Sequence, residues 1–354
     1  MGEQVRNGII AVFAGGFVGL LLFVPFVAIS YRRRGGLGWG RAALWALALV
    51  YFWAIWTYTL LPLPDTGSFR CAGVNLDVWA FVGDVRGAAS RPGPFITDPA
   101  ILQLLLNVLL FVPLGFFLRL LGGRGILVAL LVGLGISAFV ETTQITGVWG
   151  VYPCAYRVFD VDDMLTNTAG AVAGSLLALA VPPRFRGAER APDADRPRPV
   201  TRRRRVLGML CDALGLTLVT GAVGVVVQLF LEYVLNDAAA ATDSVPASVA
   251  GVVVGTGTWL VVILVTGRSI GDLAVRLRFT GGVLPAWLAR PVRWLTGVSG
   301  YTLLDALPEP WSALALPFLL ATVIMLFVFR DGRGLPGLFG ARVVDDRETP
   351  ARVE

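Results

Sequence analysis

Polar residues that could bind or transform a ligand are concentrated between Ile101 and Leu177, within and between three apolar segments. Charged and amide side chains are costly to bury in hydrocarbon, so each one in such a segment is a candidate for function. The set contains four carboxyl groups, three amides and one guanidinium: Asn107, Glu141, Gln144, Arg157, Asp160, Asp162, Asp163 and Asn167. These groups could orient a polar ligand, and Glu141 could serve as a general base.

The spacing of these residues predicts two helix faces that meet. Residues three and four apart in sequence share one face of a helix. Two sets follow this spacing: Ser137, Glu141 and Gln144, and Asp163, Asn167, Gly170 and Gly174. The two glycines form a small-xxx-small pair that allows a neighbouring helix to approach closely. We therefore expect Asn167 to be held against another helix.

Several of these residues have a structural alternative. Glu141 could lock the bundle by accepting hydrogen bonds from Arg157 or Gln144. Asp162 and Asp163 could cap the following helix, whose N-terminal dipole favours acids, or they could pair with Arg157 and bind a cation or a polar head group. Similarly, Asn107 could bind a ligand or join two helices. The sequence leaves these alternatives open.

The composition is that of a membrane protein. The 354 residues are 56% hydrophobic, and the mean hydropathy is +0.72. All 30 basic residues are arginine and histidine is absent, which excludes histidine and lysine chemistry. The arginines cluster beside apolar segments, as orientation signals do, so nucleic acid is not an expected partner. We expect no cofactor and no metal site formed by the three cysteines.

Apolar runs of about 20 residues, the length that crosses a bilayer, predict an all-α, polytopic bundle of about 8–9 membrane segments. Flanking arginines place the loop at 63–99 outside, together with the polar residues listed above. The segment at 292–308 is a weaker helix, broken by Gly297, Gly300 and Pro308, that crosses or dips into the membrane. The predicted runs are 9–30, 42–61, 100–121, 125–147, 164–182, 206–234, 246–266 and 311–329.

The change in composition after Pro183 predicts a domain boundary. The linker is rich in Arg, Pro, Asp and Ala and cannot bury enough apolar surface to fold alone. The predicted divisions are membrane domains at 1–183 and 202–345, a cytoplasmic linker at 184–201 and a tail at 346–354. The arginines at 202–205 anchor the chain on the inner side or contact anionic lipid.

Residues 10–182 resemble the VanZ-like family of bacterial membrane proteins. The resemblance is carried by Asn75-Leu76, the segment from Asn107 to Gly115, Ser137 with Glu141 to Gln144, and the segment from Arg157 to Gly170. Val78-Trp79 departs from the family pattern. The resemblance implies a cell-envelope protein of the bacterial plasma membrane, related to one associated with resistance to glycopeptide antibiotics such as teicoplanin.

Residues 200–345 resemble the RDD family, which is named for an Arg and two Asp. Arg204 or Arg205 with Asp212 matches its opening, and the segments 267–278 and 334–344 match its central and closing motifs. Pro336 and Gly337 stand where an acid is usual, which weakens the ion transport that this resemblance would imply. We expect Asp212 to pair with an arginine from 202–205 or 268–278.

Cys71 and Cys154 both fall in predicted outer loops, where disulfides persist. We therefore expect a bridge that ties the first outer loop over the polar site. Cys211 falls in a membrane segment and is expected to be a small apolar filler.

The leading functional hypothesis is an outer-leaflet site, formed by the polar residues above, for a cell-wall precursor, a lipid head group or a lipoglycopeptide. A second hypothesis is a membrane enzyme that uses Glu141 as a base on a lipid-linked substrate, with a divalent cation at the Asp cluster. An ion or solute transporter ranks third, because no repeat relates the two halves. Membrane lipid is the expected partner, and the sequence does not specify the ligand, any reaction or the oligomeric state.

Overall fold

The computed structural model of the chain describes residues 2–64, 70–187, 190–237, 242–329 and 332–348. Parts of five predicted segments lie outside these ranges: 65–69 of the first outer loop, 188–189 of the linker, 238–241 of the loop between the runs 206–234 and 246–266, Arg330-Asp331 after the last span, and 349–354 of the tail. The described residues are 71% helical. The prediction of an all-α membrane bundle is confirmed.

Long helices and two short strands form the chain before residue 184. The helices are α1 (Glu3–Arg34), α2 (Trp39–Leu60), α3 (Ala80–Ser90), α4 (Pro99–Leu120), α5 (Ile126–Ile145) and α6 (Val161–Leu177). Strand β1 (Val74–Asn75) runs parallel to β2 (Phe159–Asp160), with Asn75 opposite Asp160. Short helical turns cover Phe95–Thr97, Gly147–Gly150, Ala178–Ala180 and Pro183–Phe185.

The rest of the chain is also helical. Its helices are α7 (Arg202–Leu229), α8 (Val245–Thr266), α9 (Ile270–Ala274), α10 (Ala286–Leu295), α11 (Val298–Asp305) and α12 (Ala315–Val328). A π-helical turn, Phe230–Val234, continues α7, and 3-10 turns cover Trp311–Leu314 and Leu335–Phe339. Strands β3 (Leu277–Thr280) and β4 (Arg342–Asp345) pair antiparallel, with Leu277 opposite Asp345.

Seven helices among the described residues are long and apolar enough to cross a membrane: Val5–Arg34, Trp39–Leu60, Pro99–Leu120, Ile126–Ile145, Arg202–Val234, Val245–Thr266 and Trp311–Val328. The predicted fifth run corresponds to α6, which has 17 residues. The weak helix predicted near 292–308 is broken after Leu295, and its crossing of the membrane stays a prediction. That region contains the separate helices α10 and α11, and a Cβ added at Gly300 would overlap the carbonyl group of Leu295.

The fold divides into two compact units. The first contains Met1–Gly19 and Gly38–Glu189, and the second contains Leu20–Leu37 and Arg190–Glu354. Helix α1 therefore contributes residues to both units. The predicted domains at 1–183 and 202–345, with the linker at 184–201, stay predictions.

In the first unit, α4 and α6 touch along their backbones. A Cβ at Gly170 would overlap the carbonyl group of Val108, and one at Gly174 would overlap that of Val112. From the other side, a Cβ at Gly115 would overlap the carbonyl group of Ala171. Such close approach is the expected consequence of small residues at a helix interface. It fixes α6 against α4 beside the segment that carries the polar residues.

In the second unit, a buried ion pair joins α7 to strand β4. Arg204 Nη1 donates to Asp345 Oδ2 at 2.7 Å, and these two side chains are 6% and 0% exposed. Arg347 also donates to Asp345, and Arg204 donates to the carbonyl oxygen atoms of Val275 and Arg276. Burial alone would favour the protonated acid, but the hydrogen bonds from Arg347 and Arg204 hold the pKa of Asp345 well below its usual range.

We predict that Gly174→Ala lowers the stability of the protein by about 1–3 kcal/mol, the usual cost of overpacking a tight contact. The measurement is thermal unfolding in detergent, followed by tryptophan fluorescence. Gly135→Ala on α5 is the matched control, because a Cβ at Gly135 meets nothing within 4 Å. Equal unfolding temperatures for the two variants would contradict the tight α4–α6 contact.

We predict that Asp345→Asn costs about 3–5 kcal/mol, because it leaves the charge of Arg204 buried without its acid. Since the folded-state pKa of Asp345 is lowered, the ion pair stabilises the protein above the unfolded-state pKa and loses this effect as the pH falls through the folded-state value. Chemical denaturation at neutral pH tests the prediction. Asp346→Asn, at a carboxylate that is 18% exposed, should cost clearly less.

Candidate functional site

Gln144 and Arg157, the two proposed hydrogen-bond donors to Glu141, instead bind the C-terminal end of α2. Gln144 Nε2 donates to the carbonyl oxygen of Thr59 at 2.8 Å. Arg157 donates from Nη1 to Thr59 and from Nη2 to the carbonyl oxygen of Leu61, both at 3.0 Å. The last carbonyl groups of a helix lack partners within the helix and attract cations. Gln144 and Arg157 therefore hold the end of α2.

This arrangement corrects two predictions. The proposed lock, in which Arg157 or Gln144 donates to Glu141, is wrong, because both side chains bond to carbonyl groups of α2. The predicted pairing of Arg157 with Asp162 or Asp163 is wrong for the same reason. The guanidinium of Arg157 still interacts electrostatically with Glu141, but its hydrogen bonds go to the backbone.

Asp160 connects the start of α6 to α5 and to the loop that follows α2. Its side chain caps α6 by accepting from the backbone N–H of Asp162 at 2.9 Å. The amide of Asn75, opposite it in the sheet β1–β2, donates to both carboxylate oxygen atoms of Asp160. Its own N–H donates to Oε2 of Glu141 at 3.0 Å. Capping by Asp162 and Asp163 was one of the alternatives that the sequence left open, and the side chain that caps α6 is that of Asp160.

Asn107 and Asn167 each join α6 to a neighbouring helix. Asn107 Nδ2 on α4 donates to Oδ1 of Asp163 at 2.5 Å. Asn167 Nδ2 donates to the hydroxyl oxygen of Ser137 on α5 at 2.9 Å. Helices α4, α5 and α6 thus bring Asn107, Asp163, Ser137 and Asn167 together. Both amides make the interhelical bonds that were the structural alternative to a ligand contact.

Two buried acceptor atoms in this region lack a hydrogen-bond partner in the described part of the chain. They are Oδ1 of Asp162 and Oδ1 of Asn167, on side chains that are 5% and 4% exposed. The other carboxylate oxygen of Asp162 accepts from the backbone N–H of Phe81 at 2.7 Å. Buried acceptors are nearly always satisfied in proteins. Their presence makes this the part of the first unit best suited to receive a donor from a ligand.

The site is acidic and rich in hydrogen-bond acceptors. Asp160 and Asp163 lie near enough to Glu141 for their negative charges to interact with its carboxylate. Glu141 is 3% exposed. Such an arrangement can bind ammonium, amide or hydroxyl donors. No group of three or more His, Cys, Asp or Glu in the described ranges has the geometry of a metal site.

A disulfide joins Cys71 to Cys154, with a Cα–Cα distance of 5.6 Å. Beside it, the N–H of Ala72 donates to the carbonyl oxygen of Ala155 at 2.9 Å. The bridge and the sheet β1–β2 attach the loop after α2 to the segment that precedes α6. This loop supplies Asn75 to the site, so the disulfide holds a residue that contacts Asp160. Cys211 is buried and unbridged.

In the second unit, Asp212 differs from its predicted role. It accepts hydrogen bonds from Trp259 Nε1, Ser269 Oγ and the N–H of Gly271 at 2.9, 2.6 and 2.7 Å. The donors described for Asp212 are therefore neutral, and the predicted pair with an arginine is wrong. Arg205 instead pairs with Asp272 at 2.6 Å.

Sequence reasoning missed three contributors to the site. Asn75 was noted in the family resemblance but was not assigned to the site, because it lies in a polar loop remote from the helices. The N–H of Phe81 and the carbonyl group of Thr59 belong to the backbone, which carries no residue-specific signal. The Asn-Leu dipeptide at 75–76 was the one pattern that could have indicated Asn75.

The helices and their apolar surfaces define a multi-pass membrane protein. The sequence model of the VanZ/LLP1 family matches residues 42–182. This match includes the candidate residues of the first unit, so the region that carries them is similar to the VanZ/LLP1 family. The match ends before the region with the RDD resemblance, which stays a prediction. Comparison with curated proteins and with solved structures gives no significant match.

We predict that the protein migrates faster on a non-reducing gel than on a reducing gel, because the 83-residue separation between Cys71 and Cys154 makes a large covalent loop. Cys71→Ser and Cys154→Ser should each remove the difference, and Cys211→Ser should keep it. The two bridge variants should also unfold more easily, by about 2–4 kcal/mol. Identical mobility of all four proteins under both conditions would contradict the bridge.

Proposed function

We propose that the VanZ-like region binds an envelope ligand through the acidic site formed by α4, α5, α6 and the loop that carries Asn75. The observation that supports this most strongly is the pair of unsatisfied acceptors, Oδ1 of Asp162 and Oδ1 of Asn167, in a buried polar cluster. A donor from a ligand would satisfy them. A purely structural cluster would be expected to satisfy them internally.

The charges of the site favour a particular part of such a ligand. Glu141, Asp160, Asp162 and Asp163 supply carboxyl groups, and the guanidinium of Arg157 is bonded to the end of α2. An anionic phosphate would be repelled by these acids. We propose that the site recognises ammonium, amide or sugar hydroxyl groups. A cell-wall precursor, a glycosylated lipid head group and a lipoglycopeptide all present such donors.

The proposed location is the extracytoplasmic half of the bacterial plasma membrane. Arg119 and Arg124 lie at the junction of α4 and α5, at the opposite ends of these helices from Asn107 and Glu141. The positive-inside rule places that junction in the cytoplasm. The disulfide at Cys71 and Cys154 is consistent with an oxidising compartment on the side of the site. A lipid-anchored antibiotic would reach a site at this depth from outside the cell.

We further propose that residues 202–345 form an RDD-like membrane domain. The segments that carry this resemblance meet in the second unit, where Asp212 on α7 accepts from Ser269 and Gly271. Arg204 on α7 pairs with Asp345, which directly follows the closing motif. Pro336 and Gly337 stand where the RDD family usually has an acid. In this chain, the carboxylate that Arg204 binds belongs to Asp345.

We predict that Glu141→Ala lowers the affinity of the purified protein for teicoplanin about 10–100-fold, the effect of losing an interaction with a charged group. In a susceptible host that produces the protein, the same substitution should abolish the increase in teicoplanin resistance. Glu232→Ala, which removes an exposed acid of the other unit, is the control at matched protein levels. An unchanged affinity and an unchanged inhibitory concentration for Glu141→Ala would contradict the site.

The second candidate, a membrane enzyme, is favoured by the setting of Glu141. Its buried carboxylate accepts from the N–H of Asp160, which orients it as a general base would require. Glu141→Gln separates the two functions, because glutamine keeps an acceptor oxygen but cannot take up a proton at neutral pH. Retained resistance in this variant supports binding, whereas its loss together with retained teicoplanin affinity supports the enzyme.

A further inference from the structure

The second unit contains a basic cavity of about 580 Å³ beside the last turn of α8. Thr266 and Gly267, at the end of this membrane helix, form part of its wall. Among the described residues, the lining contains one acid, Asp346. The positive charges of the lining come from four arginines: Arg268, Arg278, Arg290 and Arg293. The cavity is distinct from the acidic site of the first unit.

The charges of two of these arginines are not neutralised by a described acid. Arg293 pairs with the buried Asp272, and Arg268 pairs with Asp346 at 3.0 Å. Although burial favours the protonated form of Asp272, the guanidinium groups of Arg293 and Arg205 hold its pKa below the usual range, so this acid stays charged. In contrast, the described hydrogen bonds of Arg278 and Arg290 go to the carbonyl oxygen atoms of Glu348 and Leu264.

Arg278 also has an unused donor. Its Nε atom is buried and has no hydrogen-bond partner in the described part of the chain. A guanidinium that presents Nε and a terminal nitrogen binds the oxygen atoms of a phosphate as a fork. An anion in the cavity would therefore satisfy this donor and compensate the charges of Arg278 and Arg290 together.

The surroundings of the cavity indicate a ligand that arrives from the membrane. Val283 and Trp287, next to the lining residues Gly282 and Ala286, are 82% and 74% exposed. Helix α10 carries Trp287 and Leu295 as exposed apolar residues together with Arg290 and Arg293, the composition of a helix that lies in a membrane interface. Tryptophan is enriched at that depth. By the distribution of arginine, this surface faces the cytoplasmic leaflet, which carries the anionic lipids.

We propose that this cavity binds the phosphate of an anionic phospholipid headgroup. Arg278 and Arg290 hold the phosphate oxygen atoms, and the acyl chains lie along the apolar surface at Val283 and Trp287. The site would anchor the second unit to anionic lipid and is independent of the function proposed for the VanZ-like region.

Native mass spectrometry of the full-length protein tests the proposal with defined lipids. The wild type should retain phosphatidylglycerol in preference to phosphatidylcholine. Arg278→Gln and Arg290→Gln should each weaken phosphatidylglycerol binding about tenfold, the loss expected for one charge-assisted hydrogen bond. Arg196→Gln is the matched control, since it removes an exposed arginine of the second unit that does not line the cavity. Each variant is first compared with the wild type by thermal unfolding, so that only folded protein is scored.

Two results would overturn the proposal. Equal binding of phosphatidylglycerol to the wild type and to the folded Arg278→Gln and Arg290→Gln variants would exclude this cavity as the lipid site. Inorganic pyrophosphate distinguishes the source of the phosphate. Binding of pyrophosphate that depends on Arg278 and Arg290, without binding of phosphatidylglycerol, would exclude the lipid and assign the cavity to a soluble ligand.

Arg278→Lys keeps the positive charge of this side chain but loses the Nε donor. This variant should bind phosphatidylglycerol more weakly than the wild type.

Discussion

The backbone contact between α4 and α6 is the constraint on which the candidate site depends. Gly115, Gly170 and Gly174 allow the two helices to approach until carbonyl groups of one lie against the Cα atoms of the other. At this separation the short side chains of Asn107 and Asp163 reach each other across the interface. A larger residue at any of these glycines would separate the helices. Polar groups that are costly in hydrocarbon would then lose their partners.

Helix ends explain why arginines near acids do not all form ion pairs in this chain. Arg157 donates to the last carbonyl groups of α2, and Arg290 donates to the carbonyl group of Leu264 in the last turn of α8. These carbonyl groups lack partners within their helices and carry the negative end of the helix dipole. Because Arg157 is used in this way, the acids of the candidate site have no bonded cation among the described residues. In the second unit, the same use of Arg290 leaves positive charge around the cavity.

The sequence predicted the class of fold and much of the site, because both depend on local patterns. Apolar runs indicated the membrane helices, and the i, i+4 and i+7 spacing placed Asn167 against a neighbouring helix. The partners of Arg157, Gln144 and Asp212 could not be predicted, because they are backbone groups or neutral side chains remote in sequence. Asn75 was missed since its position depends on the pairing of β1 with β2. The segment 292–308 was expected to be a weak, broken helix, and the break falls between α10 and α11.

Cross-linking across the α4–α6 interface tests the central claim most directly. Asn107→Cys combined with Asp163→Cys places one thiol on each helix where their side chains now share a hydrogen bond. Leu106→Cys with Asp163→Cys is the control, because Leu106 is 61% exposed. After mild oxidation in membranes, mass spectrometry of linked peptides should find the disulfide in the first pair and not in the second. Absence of a link in the first pair, or equal linking in both, would contradict a site formed where α4 meets α6.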